Sequence, residues 1–457
     1  MKYIFKLSII LALLSALIHA DTFNIHHKDD WLKLLENKEY EVLEKRLSSL
    51  YSVVQKDITK EPDMLYAFQT FNNSAKEIEQ GIQEWRKMKP HSLFAVTAWG
   101  MYNIRLAWIS RGNRSIGKTS SKQISKMNAY MREAKDSLEM VVKKDPKMTV
   151  AIQMLLQVYL VKGSDKERSS IFNASLKENP YSSIVREIYA KSLTPKWGGS
   201  WKELTLFLDE TKALSSNNSA LSILDNYDTY VRSDMLRLTK DFDKALYLSY
   251  LNQLLSQSPN NSRYYTLKGD YYFYYANNNE KAIKNYEKRL QMYPGDAHVL
   301  NNLGIIYMTL KDNDKALVYF DKSLKYDGLY SMPLRAKGKI LYLKNKMNLA
   351  LQAFQDSLVY ASEDSMAFTY MGYIYFNKKN YTLAVQNLEH SNTIEPLTED
   401  DWYIITASQW HERDCKFVKS ASIFEEKCKI SDTPCNAQKL EWAKKSAKFA
   451  KDRGICK

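Results

Sequence analysis

Four glycines set a period on this chain. Gly269, Gly304, Gly338 and Gly372 stand 35, 34 and 34 residues apart. Twelve residues after the last three come Ala316, Ala350 and Ala384. After Gly269 the alanine, Ala282, falls one residue late, and the extra residue is read into Asn277-Asn-Asn279. Four beyond each alanine sits a large apolar side chain: Tyr286, Phe320, Phe354 and Leu388. Tyr272, Tyr307, Leu341 and Tyr375 lie three after each glycine, and Pro294 and Pro396 close the first and last repeats. This spacing asks for two antiparallel helices per repeat. The small residues stand where the helices approach, and the large ones fill the space beside them. A single pair cannot bury its own apolar faces, so consecutive pairs must stack.

The composition agrees. Only 14 Gly and 10 Pro occur in 457 residues, below the usual shares of about 7% and 5%. So few turn formers leave little room for hairpins. With 45% hydrophobic and 26% charged residues, long disorder is excluded. The pattern resembles the tetratricopeptide repeat (TPR), with four consecutive repeats in register. The resemblance implies an all-α fold: a right-handed superhelix of antiparallel helix pairs, a TPR-like α-solenoid. Looser repeats flank these four. Phe242 to Ser258 keeps Ala245 at the small position but puts Ser249 where a large residue belongs. Ala134, Leu138 and Pro146 keep the internal offsets, with Phe172 and Pro180 in matching places further on. Trp402 to Lys429 reads as a degenerate last repeat.

Residues 1–20 form a separate object. Lys2 and Lys6 precede an apolar run from Leu7 to Ile18, and Ala20 precedes Asp21. The run is too short to span about 30 Å of bilayer and reads as a secretory signal peptide cut after Ala20. No Cys follows that cut, so no lipid anchor is expected, and no later segment reads as a membrane span. The expected location is exported, periplasmic or secreted. The expected domains are an irregular helical region over 21–215, a TPR array over 216–396, and a degenerate repeat with a Cys-rich cap over 397–457. In the irregular region Trp85, Pro90-His-Ser92, Trp108 with Arg111-Gly112, and Pro195-Lys-Trp-Gly-Gly-Ser200 occur in an order that resembles a bacterial family, domain of unknown function 4034. The similarity covers about residues 31–215, and the family supplies no activity to carry over. Gly198-Gly199 permits a tight turn with positive φ, with Trp197 and Trp201 expected to pack over it.

All four cysteines, Cys415, Cys428, Cys435 and Cys456, fall near the carboxyl end, and none forms C-x-x-C. In an exported chain an even count points to disulfides. Phe417 to Lys427 and Ala437 to Asp452 read as a helical hairpin about a turn at Ser431-Asp-Thr-Pro434. Cys428 and Cys435 then flank the turn, and Cys415 and Cys456 meet at the far end. The expected pairs are Cys428–Cys435 and Cys415–Cys456, a disulfide-linked cap on the stack.

Enzyme motifs are weak. Gly112-Asn-Arg-Ser-Ile-Gly-Lys118-Thr119 matches a phosphate-binding loop, and Leu204 to Glu210 looks like its acidic partner strand. Such a loop must join a buried strand to a helix. Here Phe94, Ala98, Tyr102, Leu106 and Ile109 keep helical spacing before it, so no nucleotide or other cofactor is expected. His26-His27 with Asp29 and Asp30 reads as a solvated tail rather than a metal site. The net charge of +14 is spread along the chain, densest from Arg111 to Lys126. Export makes nucleic acid an improper partner for it.

In tetratricopeptide stacks the first helix of each repeat lines the concave face. The resemblance places Thr266, Asp270, Phe273, Asn301, Ile305 and Met308 there, followed by Arg335, Lys339, Tyr342, Thr369, Tyr373 and Phe376. The face would take a protein or peptide with an acidic group near Arg335 and Lys339. The clamp of chaperone-binding relatives needs Lys and Asn where this chain has Thr266 and Asp270, so that role is disfavoured. The expected function is an exported, non-catalytic interaction protein or scaffold of the cell envelope. The alternatives are an enzyme, or a glycan- or cell-wall-binding module, in the amino-terminal region.

Overall fold

The computed structural model describes residues 23–112, 119–327, 331–431 and 434–456. The expected signal peptide and most of the Gly112–Thr119 segment lie outside them. The described residues hold 23 α-helices and no strand. They divide into two compact units: unit 1 is Met1–Leu303 with Lys325–Gly328, and unit 2 is Gly304–Leu324 with Leu329–Lys457.

Unit 1 is the irregular one. Its helices begin with Lys28–Glu36, Tyr40–Lys56, Glu61–Phe68 and Lys76–Met88, and one core buries Trp31, Phe68, Phe71 and Trp85 completely. The next pair, Leu93–Arg111 and Ser121–Lys144, is a repeat with lengthened arms. A Cβ on Gly100 would lie 2.7 Å from Leu138 Cγ, so the glycine is needed for the approach. Gly100 and Ala134 are 34 residues apart, where the regular repeats have 12. The pairing is the same and only the turn is pushed outward. Serine N-caps start many of these helices: Ser92, Ser120, Ser164, Ser182 and Ser200 each accept from a backbone N–H three residues on.

The segment expected as a solvated tail is docked. Lys28 is buried and its ammonium donates to Gly295 O at 3.3 Å. Asp29 pairs with Lys325 at 2.8 Å. Asn73 Nδ2 donates to Lys325 O at 2.9 Å, Ser74 Oγ to Asp327 at 2.6 Å, and Arg105 pairs with the same Asp327. Tyr66 packs edge-on to Tyr293 at 4.9 Å. The first helices of unit 1 are thereby joined to its last residues. Sequence periodicity carries no sign of this because the partners are more than 220 positions apart. Glu61, fully buried, tightens unit 1 further. Its carboxylate accepts from Ser182 Oγ at 2.5 Å and from the Ser183 and Ile184 N–H groups at 2.8 and 3.2 Å, where a helix amino end favours an anion.

Unit 2 follows the repeat closely. A Cβ on Gly304 would stand 2.5 Å from the Phe320 ring, one on Gly338 2.9 Å from Phe354, and one on Gly372 2.7 Å from Leu388. Ala316, Ala350 and Ala384 are fully buried between the helices. The glycine-to-large-residue pairing inferred from spacing is thus a physical contact. The last three helices, Glu399–His411, Phe417–Ile430 and Ala437–Asp452, carry the disulfides Cys415–Cys456 and Cys428–Cys435. Cys456 packs with Phe417 and Ala450, and Cys428 and Cys435 lie beside Phe424 and Ala443.

The turn inside each pair uses one device. Asn277, Lys311, Asn345, Lys379 and Arg413 all have positive φ, between 47° and 64°, and each stands 34 residues from the next. Asp312 N–H donates to Tyr307 O, Lys346 to Leu341 O, Asn380 to Tyr375 O and Asp414 to Gln409 O, at 2.8–2.9 Å. This is the helix-ending Schellman arrangement. It carries the repeat through the Trp402 to Lys429 region. In the Gly269 repeat the corresponding bond, Asn278 N–H to Tyr272 O at 2.8 Å, reaches one residue further. The reason is a π-helical turn at Tyr271–Tyr275, which wraps one more residue than an α turn. The late Ala282 therefore traces to the helix interior, and the expectation that Asn277-Asn-Asn279 holds the extra residue is corrected.

Candidate functional site

Within unit 2 the expected recognition residues lie on the first helices of successive pairs, Ser331–Leu343 and Ser365–Asn377. Arg335, Lys339, Tyr342, Thr369, Tyr373 and Phe376 are all half-buried, as are Ile305 and Met308. Tyr342, Tyr370 and Tyr373 form an aromatic cluster with centroids 5.3–6.3 Å apart. The two expected cations differ. Arg335 Nη1 is 2.9 Å from Asp364, whose carboxylate also caps the Ser365–Asn377 helix. Lys339 has no hydrogen-bond or ion-pair partner among the described residues. Tyr373 O–H donates to Asp401, and burial with the Asp401 charge pushes its pKa far up. Thr369 Oγ1 lies 2.8 Å from Ser391 Oγ. Lys339 and the rings are therefore the groups left available.

In unit 1 the expected residues are spent on structure. Asn301 is fully buried, because the helix Ala297–Thr309 turns it inward. Asp270 accepts from Tyr286 O–H at 2.7 Å and Asn302 Nδ2 at 3.1 Å, and lies 3.1 Å from His298 Nε2. Burial works to lower the His298 pKa, but the Asp270 carboxylate outweighs it and holds the ring above the usual range. Phe273, in the π turn, packs on Tyr274 at 4.6 Å. Thr266 Oγ1 is buried with no hydrogen-bond partner among the described residues.

Sequence reasoning missed the cavity that Thr266 faces. Unit 1 encloses two chambers of about 630 and 440 Å³ that share Leu65, Gln69, Ile184, Glu187 and Arg263 in their walls. The larger is lined by helix faces at i, i+3, i+4, i+7 spacing, such as Met101, Ile104, Arg105, Trp108 and Ile184, Glu187, Ile188, Lys191. Such a stripe would ordinarily be apolar core. Here it carries charges and indoles. Arg263 Nη1 is 2.7 Å from Glu187, which holds the guanidinium well above the ordinary arginine range. Lys196 is 2.9 Å from Asp234.

The Trp-Gly-Gly-Ser segment borders this chamber. Pro195–Trp197 is a 3-10 turn, Gly198 has φ 94°, and Ser200 caps the helix Trp201–Lys212. A Cβ on Gly199 would come 2.2 Å from Leu193 O, so the backbone pass itself demands glycine. Trp201 lies beneath Arg232 at 4.2 Å, and Trp197 turns to the chamber, 5.7 Å from Lys191 Nζ. Gly112 ends the Leu93–Arg111 helix with φ 71°, and Leu204 to Glu210 is helical. The flanks of the phosphate-loop look-alike are thus helices. No helix among the described residues is long and apolar enough to cross a membrane.

Comparisons with known proteins agree with these helix pairs. The tetratricopeptide repeat family model matches residues 297–328. A TPR repeat-containing protein, MJ1428 of Methanocaldococcus jannaschii, is 23% identical over 281 residues, 57% of this chain and 48% of the relative. The chain therefore spans about half the length of that curated relative. Among solved structures, PilW, a type IV pilus biogenesis factor, is 17% identical over 47% of this chain and 96% of its own, with a TM-score of 0.39. YrrB, a TPR protein with an unusual peptide-binding site, is 16% identical over 43% and 97%, with a TM-score of 0.36. MamA is 20% identical over 38% and 97%, with a TM-score of 0.33.

Proposed function

We propose that this TPR-type helical-repeat protein is an exported, non-catalytic adaptor that holds a protein or peptide partner on the first helices of unit 2. The observation that carries the reading is the half-buried row of Lys339, Tyr342 and Tyr373. It offers rings to a peptide's apolar side chains and one unpaired ammonium to its acidic group. Arg335 contributes less to an acidic ligand than its charge implies, because Asp364 already occupies it. Pairing of all four cysteines supports an oxidising compartment, and the basic-then-apolar start supports export. The resemblance of residues 31–215 to a bacterial domain of unknown function fits an envelope role and adds no activity.

A peptide array read with the purified chain tests the adaptor reading. Peptides pairing an acidic residue with aromatic or aliphatic neighbours should bind, and Lys339→Glu with Tyr342→Ala should weaken them by about tenfold or more, about 1.4 kcal/mol. Binding unaltered by that pair of changes would overturn it. Amino-terminal sequencing of the exported product should begin at Asp21.

A further inference from the structure

We propose that the larger chamber of unit 1 is a binding site for a short saccharide that carries one carboxylate. Its charge makes the first argument. Four cations stand in the wall, and three have acidic partners of their own: Arg105 with Asp327, Lys196 with Asp234, and Arg263 with Glu187. Lys191 has no hydrogen-bond or ion-pair partner among the described residues. Burial, and then the Arg263 charge, hold its amine below the ordinary lysine range, the signature of an ammonium without a counter-ion. One uncompensated positive charge matches a monoanion. A phosphate dianion would leave surplus negative charge in the wall.

The second argument is the kind of polar group that shares the wall. Gln153 and Gln157 stand one helical turn apart on Thr149–Lys162 and line the chamber. Neither side chain has a hydrogen-bond partner among the described residues. Such amides both donate and accept. Glu187 and Asp234 add carboxylate oxygens that accept only. A ligand rich in hydroxyls satisfies both types at once, whereas a peptide terminus or a fatty acid has few protons to offer the carboxylates. Trp108 and Trp197 supply flat apolar faces in the same wall, suited to the C–H face of a sugar ring. At about 630 Å³ the space lies within the range of about 300–1,000 Å³ typical of ligand pockets.

The carboxylate could belong to the ring of a uronic acid or to the lactyl ether of a muramic acid. Titration of the full chain with a glucuronate-terminated disaccharide and with N-acetylmuramic acid separates these, with N-acetylglucosamine as the neutral probe. Tryptophan fluorescence and ligand-observed NMR give the readout. At least one acid should bind about tenfold more tightly than the neutral sugar, and the better acid names the source. Lys191→Met should erase that preference and Lys191→Arg should keep most of it, while Lys339→Glu in unit 2 leaves it intact. The last result separates this site from the peptide surface proposed above. Equal binding of acid and neutral sugars, no binding of any of the three, or a preference that survives Lys191→Met would overturn the proposal. Should Lys191→Met fail to fold, the acid-against-neutral comparison on the unaltered chain still decides.

Discussion

In unit 1 one apolar core runs unbroken from Trp31 to Val231. Unit 2 divides its core among neighbouring pairs: Leu341 to Ile374, then Leu388 with Leu397 and Ile405, then the two small clusters under the disulfides. Both are made of the same kind of helix pair. The difference lies in what else the pairs meet. In unit 2 each pair meets its sequence neighbours, so stability is a sum of local terms. In unit 1 the first helices also meet the last residues, and closing the chain on itself creates an interior space. Regularity makes a surface, and closure makes a chamber.

The contrast is open to direct attack. Trp31→Ala and Phe354→Ala should each cost about 3–5 kcal/mol, with different reach. Hydrogen exchange should show Trp31→Ala loosening helices throughout unit 1, and Phe354→Ala loosening mainly Ser331–Asn377. Equal spread in both would erase the distinction. Next, replacing Cys415 and Cys456 by serine opens a loop closed over 41 positions, worth about 4 kcal/mol by chain entropy. Cys428 with Cys435 closes only 7, worth about 2.5 kcal/mol. Thermal unfolding should drop more for the first pair, and exchange in unit 1 should not change.

Lys28 gives a third, with the opposite sign. Burial lowers its pKa from 10.5 to about 8. Between those values the unfolded chain holds the proton that the folded chain has released, so stability rises with pH across that window, by about 3 kcal/mol in full. Below about 8 the buried charge opposes folding. Lys28→Met should therefore stabilise unit 1 at neutral pH, and the difference between the two proteins should shrink as pH climbs. Denaturant titrations at a series of pH values check this, with tyrosine ionisation cancelling between them. The smallest effect is expected from Arg335→Met. Its pair with Asp364 is partly exposed, and thermal unfolding should register no more than about 1 kcal/mol.

What could be read in advance follows the range of the interaction. Gly304 against Phe320 is a contact within one hairpin, so spacing alone revealed it. The cystines were legible for the same reason, since Ala437 to Asp452 returns along Phe417 to Ile430. The π turn was displaced in the reading because an insertion shows only as a late alanine, and the asparagine run was the more obvious place for it. The lengthened Gly100 hairpin hid its repeat by moving Ala134 outward. The chamber was illegible. Lys191, Trp108 and Asp234 come from three helices, and nothing in their own segments records that they share a wall. Asn301 was misplaced because neighbouring positions on a first helix differ by about 100°, enough to turn a side chain from the surface to the interior.

The joining of Lys28 to Gly295, and of Ser74 to Asp327, spans 267 and 253 residues. During synthesis the first helices emerge long before the residues that receive them. Local hairpins can form as they appear, but the interior of unit 1 cannot shut until Asp327 has left the ribosome or the export channel. Contacts so distant along the chain are slow to find, and until then Trp31 and Phe68 lack their final cover, a state open to aggregation. A chain that must be threaded through a membrane before it folds has reason to place its latch so late.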